Sequence, residues 1–115
     1  MHKRTVGVVY AQFMSRPART SPRERSVDWP QLTSTDPSAE VARRFAQNLK
    51  IAIGDSSLRA SAQLTDVDHS TIQSILQGRA WPDLETIAKL ERGFATVLWP
   101  GLAIEQDQGA VDRLA

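Results

Sequence analysis

The sequence predicts an all-α domain of five short helices behind an extended basic N-terminal arm. Three observations carry this reading. Apolar residues recur at helical spacing, as Val41, Phe45, Leu49, Ala52 and Ile53 in one stretch and as Leu84, Ile87, Ala88, Leu90 and Phe94 in another. Short polar residues stand where helices would begin: Asp36 ahead of Pro37, then Ser57, Asp68 and Asp83. Finally, Thr5–Phe13 (TVGVVYAQF) is the one segment that reads as a strand, and no second strong strand is present to pair with it.

Taken in order, residues 1–35 form an extension. A short strand at 5–13 would need a partner, such as its own copy in a dimer. Ser15–Thr35 is rich in Arg, Ser and Pro, which is arm or linker composition. Residues 36–100 form the domain. Its first helix runs from Asp36 to Gly54, the second over roughly 57–64, and the third over roughly 69–77, ended by Gly78. Arg79-Ala80-Trp81-Pro82 makes a loop, and a fourth helix follows Asp83. A short fifth helix or turn around Thr96–Trp99 is stopped by Pro100-Gly101. Residues 101–115 are a tail in which Ala110–Leu114 could add a helical turn.

Composition bounds the chemistry. The 115 residues suffice for one domain plus tails, with 41% hydrophobic and 23% charged residues. Without cysteine the sequence has no disulfide, no thiol nucleophile and no Cys-based zinc site. Two histidines, one at position 2, cannot build a metal site, and no Gly-rich phosphate loop is present, so no cofactor is expected. No apolar run approaches the roughly 20 residues of a membrane helix, and Thr5–Phe13 lacks a signal-peptide cleavage pattern. The expected location is therefore the cytoplasm or nucleoid, with no membrane partner. Net charge is +1 but unevenly placed. Residues 1–35 carry six basic and two acidic side chains, and residues 36–115 carry eight and eleven. Any strong attraction to a polyanion must come from a few placed arginines or from the arm.

The most telling stretch is Ser57–Gly78, SLRASAQLTDVDHSTIQSILQG. It reads as two short helices joined by a tight turn. Small Ala62 lets the helices approach, and Asp66 stands where the turn needs a left-handed residue. Val67, Ile72 and Ile75 bury the inner face. His69, Ser70, Gln73, Ser74 and Gln77 stay outside, and such hydrogen-bonding side chains suit base edges or phosphates. With ARRFAQNLK before it and WPDLETIAKLE and LWPG after it, the span 39–100 resembles the lambda-repressor-like, Cro/XRE-type helix-turn-helix family, in wording similar to its actinobacterial members. The resemblance covers a little over half of the chain. Departures are Ser61 and Thr65 at places usually apolar, Asp66 for the turn Gly, Ala95 for a helix-end Gly, and Gly93 inside the fourth helix, at up to about 1 kcal/mol relative to Ala.

The resemblance implies a DNA-binding transcriptional regulator, repressor-like and not an enzyme, whose third helix enters the major groove of double-stranded DNA. By position, His69, Ser70 and Ser74 would face base edges, with Thr71 and Gln73 at the flanks. Ser57, with the amides opening the second helix, and Arg59, Gln77 and Arg79 would meet phosphates. Arg16, Arg19, Arg23 and Arg25 of the arm could follow the backbone or enter the minor groove. A half-site of a few base pairs commonly calls for a homodimer. Leu98 and Trp99, the tail and Thr5–Phe13 are candidate dimer surfaces, while Trp81 and Trp99 otherwise read as core or rim packing. A rival reading is an antitoxin or protein-interaction module that binds a protein partner through residues 1–35.

Overall fold

The computed structural model describes residues 19–101. The possible strand at 5–13, Arg16 and the tail beyond Gly101 lie outside them. The described residues are all-helical, with four α-helices: α1 (Pro37–Ile53), α2 (Leu58–Thr65), α3 (His69–Leu76) and α4 (Leu84–Phe94). A single 3-10 turn, Arg23–Arg25, precedes them.

Each helix starts where a cap is available. The side chains of Asp36, Ser57, Asp68 and Asp83 accept from the backbone N–H of Ala39, Ala60, Ser70 and Thr86 respectively. These bonds satisfy amides that a helix start otherwise leaves open. The helix ends are also as the sequence implies. Gly54 and Gly78 have positive φ, and Asp66 takes the left-handed conformation at φ 60°. Phe45, Leu49 and Ile53 of α1, Val67, Ile72 and Ile75 around α3, Leu90 of α4 and Leu98 form one core, against which Ala62 and Ile87 pack.

The expected fifth helix is absent. Ala95 ends α4 in the left-handed region at φ 54°, and residues 97–100 have no regular secondary structure. Their amides turn to a side chain instead of a helical ladder: Glu91 Oε2 accepts from the N–H groups of Leu98 (2.7 Å) and Trp99 (2.9 Å). Asn48 Nδ2 donates to the Leu98 carbonyl at 2.9 Å, and the Leu98 side chain enters the core.

Residues 19–35 also differ from the free arm that their composition suggests. They wrap against the ends of α1 and α3. Pro22 is fully buried, and the Arg23 N–H donates to the Gly78 carbonyl at 2.9 Å. Trp29 donates Nε1–H to the Leu76 carbonyl at 3.0 Å, closing the C-terminus of α3. A second anchor is Glu40, buried in the first turn of α1. It accepts from the Ser34 N–H and from both Arg43 and Arg44. Arg43 in turn donates to the Pro30 carbonyl at 3.0 Å. Burial alone would raise the Glu40 pKa, but these bonds outweigh it and bring it from 4.5 down to about 2.

The departures at Thr65 and Gly93 share one cause. A Cβ on Gly93 would lie 2.7 Å from Thr65 Cα and 2.9 Å from the Leu64 carbonyl oxygen. Helices α2 and α4 meet at backbone distance, so the facing positions are small. Thr65 returns its hydroxyl to the Ser61 carbonyl at 2.8 Å, and the buried Ser61 hydroxyl has no partner.

Candidate nucleic-acid interface

Helix α3 displays the polar row that the sequence predicts. Ile72 and Ile75 are fully buried beneath it. Ser70 and Gln73 are exposed, and His69, Thr71, Ser74 and Gln77 are half-exposed. The row is therefore continuous along the outer side of one helix held rigidly by its inner side. One member has a prior commitment. Ser70 donates its hydroxyl to Asp68 Oδ2, which also accepts the Ser70 N–H. These bonds hold the Asp68 carboxyl below its usual range, so it stays ionised as the cap of α3. His69 Nδ1 lies 3.9 Å from Asp68 Oδ1. Apart from Ser70, the side chains of this row (His69, Thr71, Gln73, Ser74 and Gln77) make no hydrogen bond among the described residues.

The predicted phosphate contacts fall into two groups. Ser57 and Arg59 are exposed at the start of α2, where Ser57 Oγ is already engaged as the cap of Ala60. Gln77 and Arg79 sit at the end of α3, with the Arg79 N–H bonded to the Ser74 carbonyl at 2.9 Å. Neither Arg59 nor Arg79 meets a carboxylate among the described residues, so both guanidinium groups remain available to an anion.

The arm arginines separate by role. Arg25 lies over the Trp81 ring at 4.8 Å from its centroid, and Arg19 over the same ring at 5.2 Å. Arg25 also donates to Thr20 Oγ1 and pairs with Asp36 at 3.3 Å. Trp81 Nε1–H donates to the Thr20 carbonyl at 2.9 Å. These two arginines lie against the loop ahead of α4 and so have partners within the domain. Arg23 is exposed and has no such partner. Sequence reasoning missed this arrangement, although Ser21-Pro22-Arg23-Glu24 carried a signal. Glu24 accepts the Ser21 N–H, and the Ser21 hydroxyl accepts the Glu24 N–H, the reciprocal pair of a capping box.

On another part of the surface an open groove of about 540 Å³ is lined by Val41, Phe45, Trp81, Leu84, Ile87 and Trp99, among others. Leu84 is 85% exposed and Trp99 52% exposed. Trp99 thus packs at the rim and not in the core. Among the described residues no group of three or more His, Asp or Glu side chains could hold a metal, and no helix is long and apolar enough to cross a membrane. Comparison with protein-family models, with curated proteins and with solved structures finds no match to this chain.

Proposed function

We propose that the chain is a sequence-specific DNA-binding regulator of the lambda-repressor-like, helix-turn-helix kind, with α3 as the helix that enters the major groove. The observation that carries this is the unit 57–79. Two capped helices meet through a left-handed Asp66, and the second buries its isoleucines while presenting a polar row, with exposed Arg59 on the first helix and Arg79 just past the second. Base edges would be met by His69, Gln73 and Ser74, with Ser70 and Thr71 beside them. Phosphates would be met by the N-terminal end of α2 and by Arg79. Repression would follow from occupying a promoter.

Selection from a random duplex library tests the reading. A reproducible motif is expected, and His69→Ala/Gln73→Ala/Ser74→Ala should lose discrimination while its helical circular dichroism is unchanged. Ser70 is left in place because its hydroxyl serves the Asp68 cap. The same motif selected by the triple variant would refute the assignment of α3. A protein-interaction role is the second reading, and the groove with its exposed Leu84 and Trp99 favours it, since such a patch suits an apolar partner surface. No enriched motif, together with a partner whose binding is lost in Leu84→Asp, would establish that alternative.

A further inference from the structure

The N-terminal wrap brings a cation to the end of α3 that belongs to no helix of the domain. The Arg23 N–H bonds the Gly78 carbonyl, one residue before Arg79. The two arginines are therefore neighbours in space although 56 positions apart in the chain. The junction between them is fixed on several sides. Pro22 is buried, and the Trp29 ring lies so close over Gly78 that a Cβ there would sit 2.5 Å from it. Trp29 also holds the Leu76 carbonyl, and the Arg79 N–H holds that of Ser74. Both arginine side chains are exposed, and neither meets a carboxylate or a hydrogen-bond acceptor among the described residues. The nearest acid in sequence, Glu24, is occupied by the Ser21 N–H at 3.2 Å.

We infer that Arg23 and Arg79 form one phosphate-binding site, which makes the wrap a fixed part of the nucleic-acid surface. Two guanidinium groups on a rigid backbone junction grip a backbone phosphate with little ordering cost, and their unneutralised charge releases condensed counterions from the duplex. The site also gives an otherwise charge-balanced domain a local positive patch at the flank of the recognition row. Arg19 and Arg25 do not take part, because both are stacked on Trp81. This inference rests on the DNA-binding reading above, and it adds a contact from outside the unit 57–79.

The test is a salt titration of binding by the full chain, on its selected duplex and on a random duplex, for the wild type, Arg23→Ala, Arg23→Lys and Arg79→Ala. A phosphate contact contributes a slope of about −0.9 in log affinity against log salt. Arg23→Ala should flatten the slope by about that amount on both duplexes and leave the motif unchanged. Its deficit relative to wild type should then shrink about threefold to fourfold between 50 and 200 mM salt. Arg23→Lys should keep most of the slope, and Arg23→Ala in an Arg79→Ala background should cost less than it does alone. Thermal stability should not move, since the exposed Arg23 side chain makes no hydrogen bond or ion pair among the described residues. A wild-type slope in Arg23→Ala with the motif still selected would overturn the site and leave the DNA-binding reading standing. No duplex binding by the wild type at 50 mM salt would overturn both.

Discussion

Gly93 shows how a single residue can be misjudged from helix propensity alone. An exposed helix interior would gain up to about 1 kcal/mol from Gly→Ala. Here the added Cβ meets Thr65 Cα and the Leu64 carbonyl at under 3 Å, and both are backbone atoms that cannot swing aside. Gly93→Ala should therefore destabilise the domain by about 1–3 kcal/mol, the usual cost of overpacking. Urea denaturation reads this directly, and a variant as stable as wild type would show that α2 and α4 can separate without cost. The same contact explains why Thr65 stands at a place where a large apolar residue would be expected, while Ser61 lies one turn earlier on α2. The family resemblance marked these two positions as usually apolar. It could not supply the interhelical distance that makes small residues necessary there, because that distance depends on residues nearly 30 positions away.

At the scale of elements, the helices and the turns between them were legible and the segments flanking them were not. Each α-helix begins with a side-chain cap whose donor lies two or three residues on, and local chemistry of that kind is readable from a window of a few residues. The wrap at 19–35 is different. Its Pro-, Arg- and Ser-rich composition reads as an arm or linker, but its anchors are partners in distant parts of the chain: Leu76 and Gly78 for the Trp29 and Arg23 end, Glu40 and Arg43 for the Pro30–Ser34 end. The residues at 96–100 fail as a helix for a similar reason, since Glu91 and Asn48 take up the polar groups that a helix would have used. The candidate recognition row was legible for the same reason as the helices, because face and period are set within α3. If the wrap is an integral element, Trp29→Ala should cost about 2–4 kcal/mol, by removing a large packed ring and leaving the Leu76 carbonyl without its donor. Faster amide exchange at the end of α3 would accompany that loss. An unchanged denaturation midpoint would mean that the Trp29 anchor contributes nothing to the fold.

For the molecule as a whole, the described residues carry as many acidic as basic side chains, so its stability depends on how individual charges are paired and not on a net field. Glu40 is the central case. It is buried, it ties α1 to the wrap, and its pKa of about 2 lies well below the ordinary 4.5. A carboxyl whose folded pKa is depressed stabilises the fold above its unfolded pKa, and that contribution disappears as pH falls through the folded value. The contribution should therefore be complete above about pH 5 and should be lost progressively between there and about pH 2, amounting to about 3 kcal/mol at full strength. The caps Asp68 and Asp83, both held below the usual carboxylate range by the hydrogen bonds they accept, lose stabilisation in the same direction. Arg43 remains protonated throughout, its own pKa raised by the hydrogen bond to Glu40. Protonation of Glu40 thus leaves a buried guanidinium without its counter-charge, and the bond from the Ser34 N–H is reduced from a charge-assisted to a neutral one. Glu40→Gln should lower stability at pH 7 and should flatten the decline between pH 5 and pH 2, because the group that drives most of it no longer titrates. Denaturation midpoints of the two proteins across that range measure the difference. Curves that stay parallel down to pH 2 would place the acid sensitivity in other carboxylates.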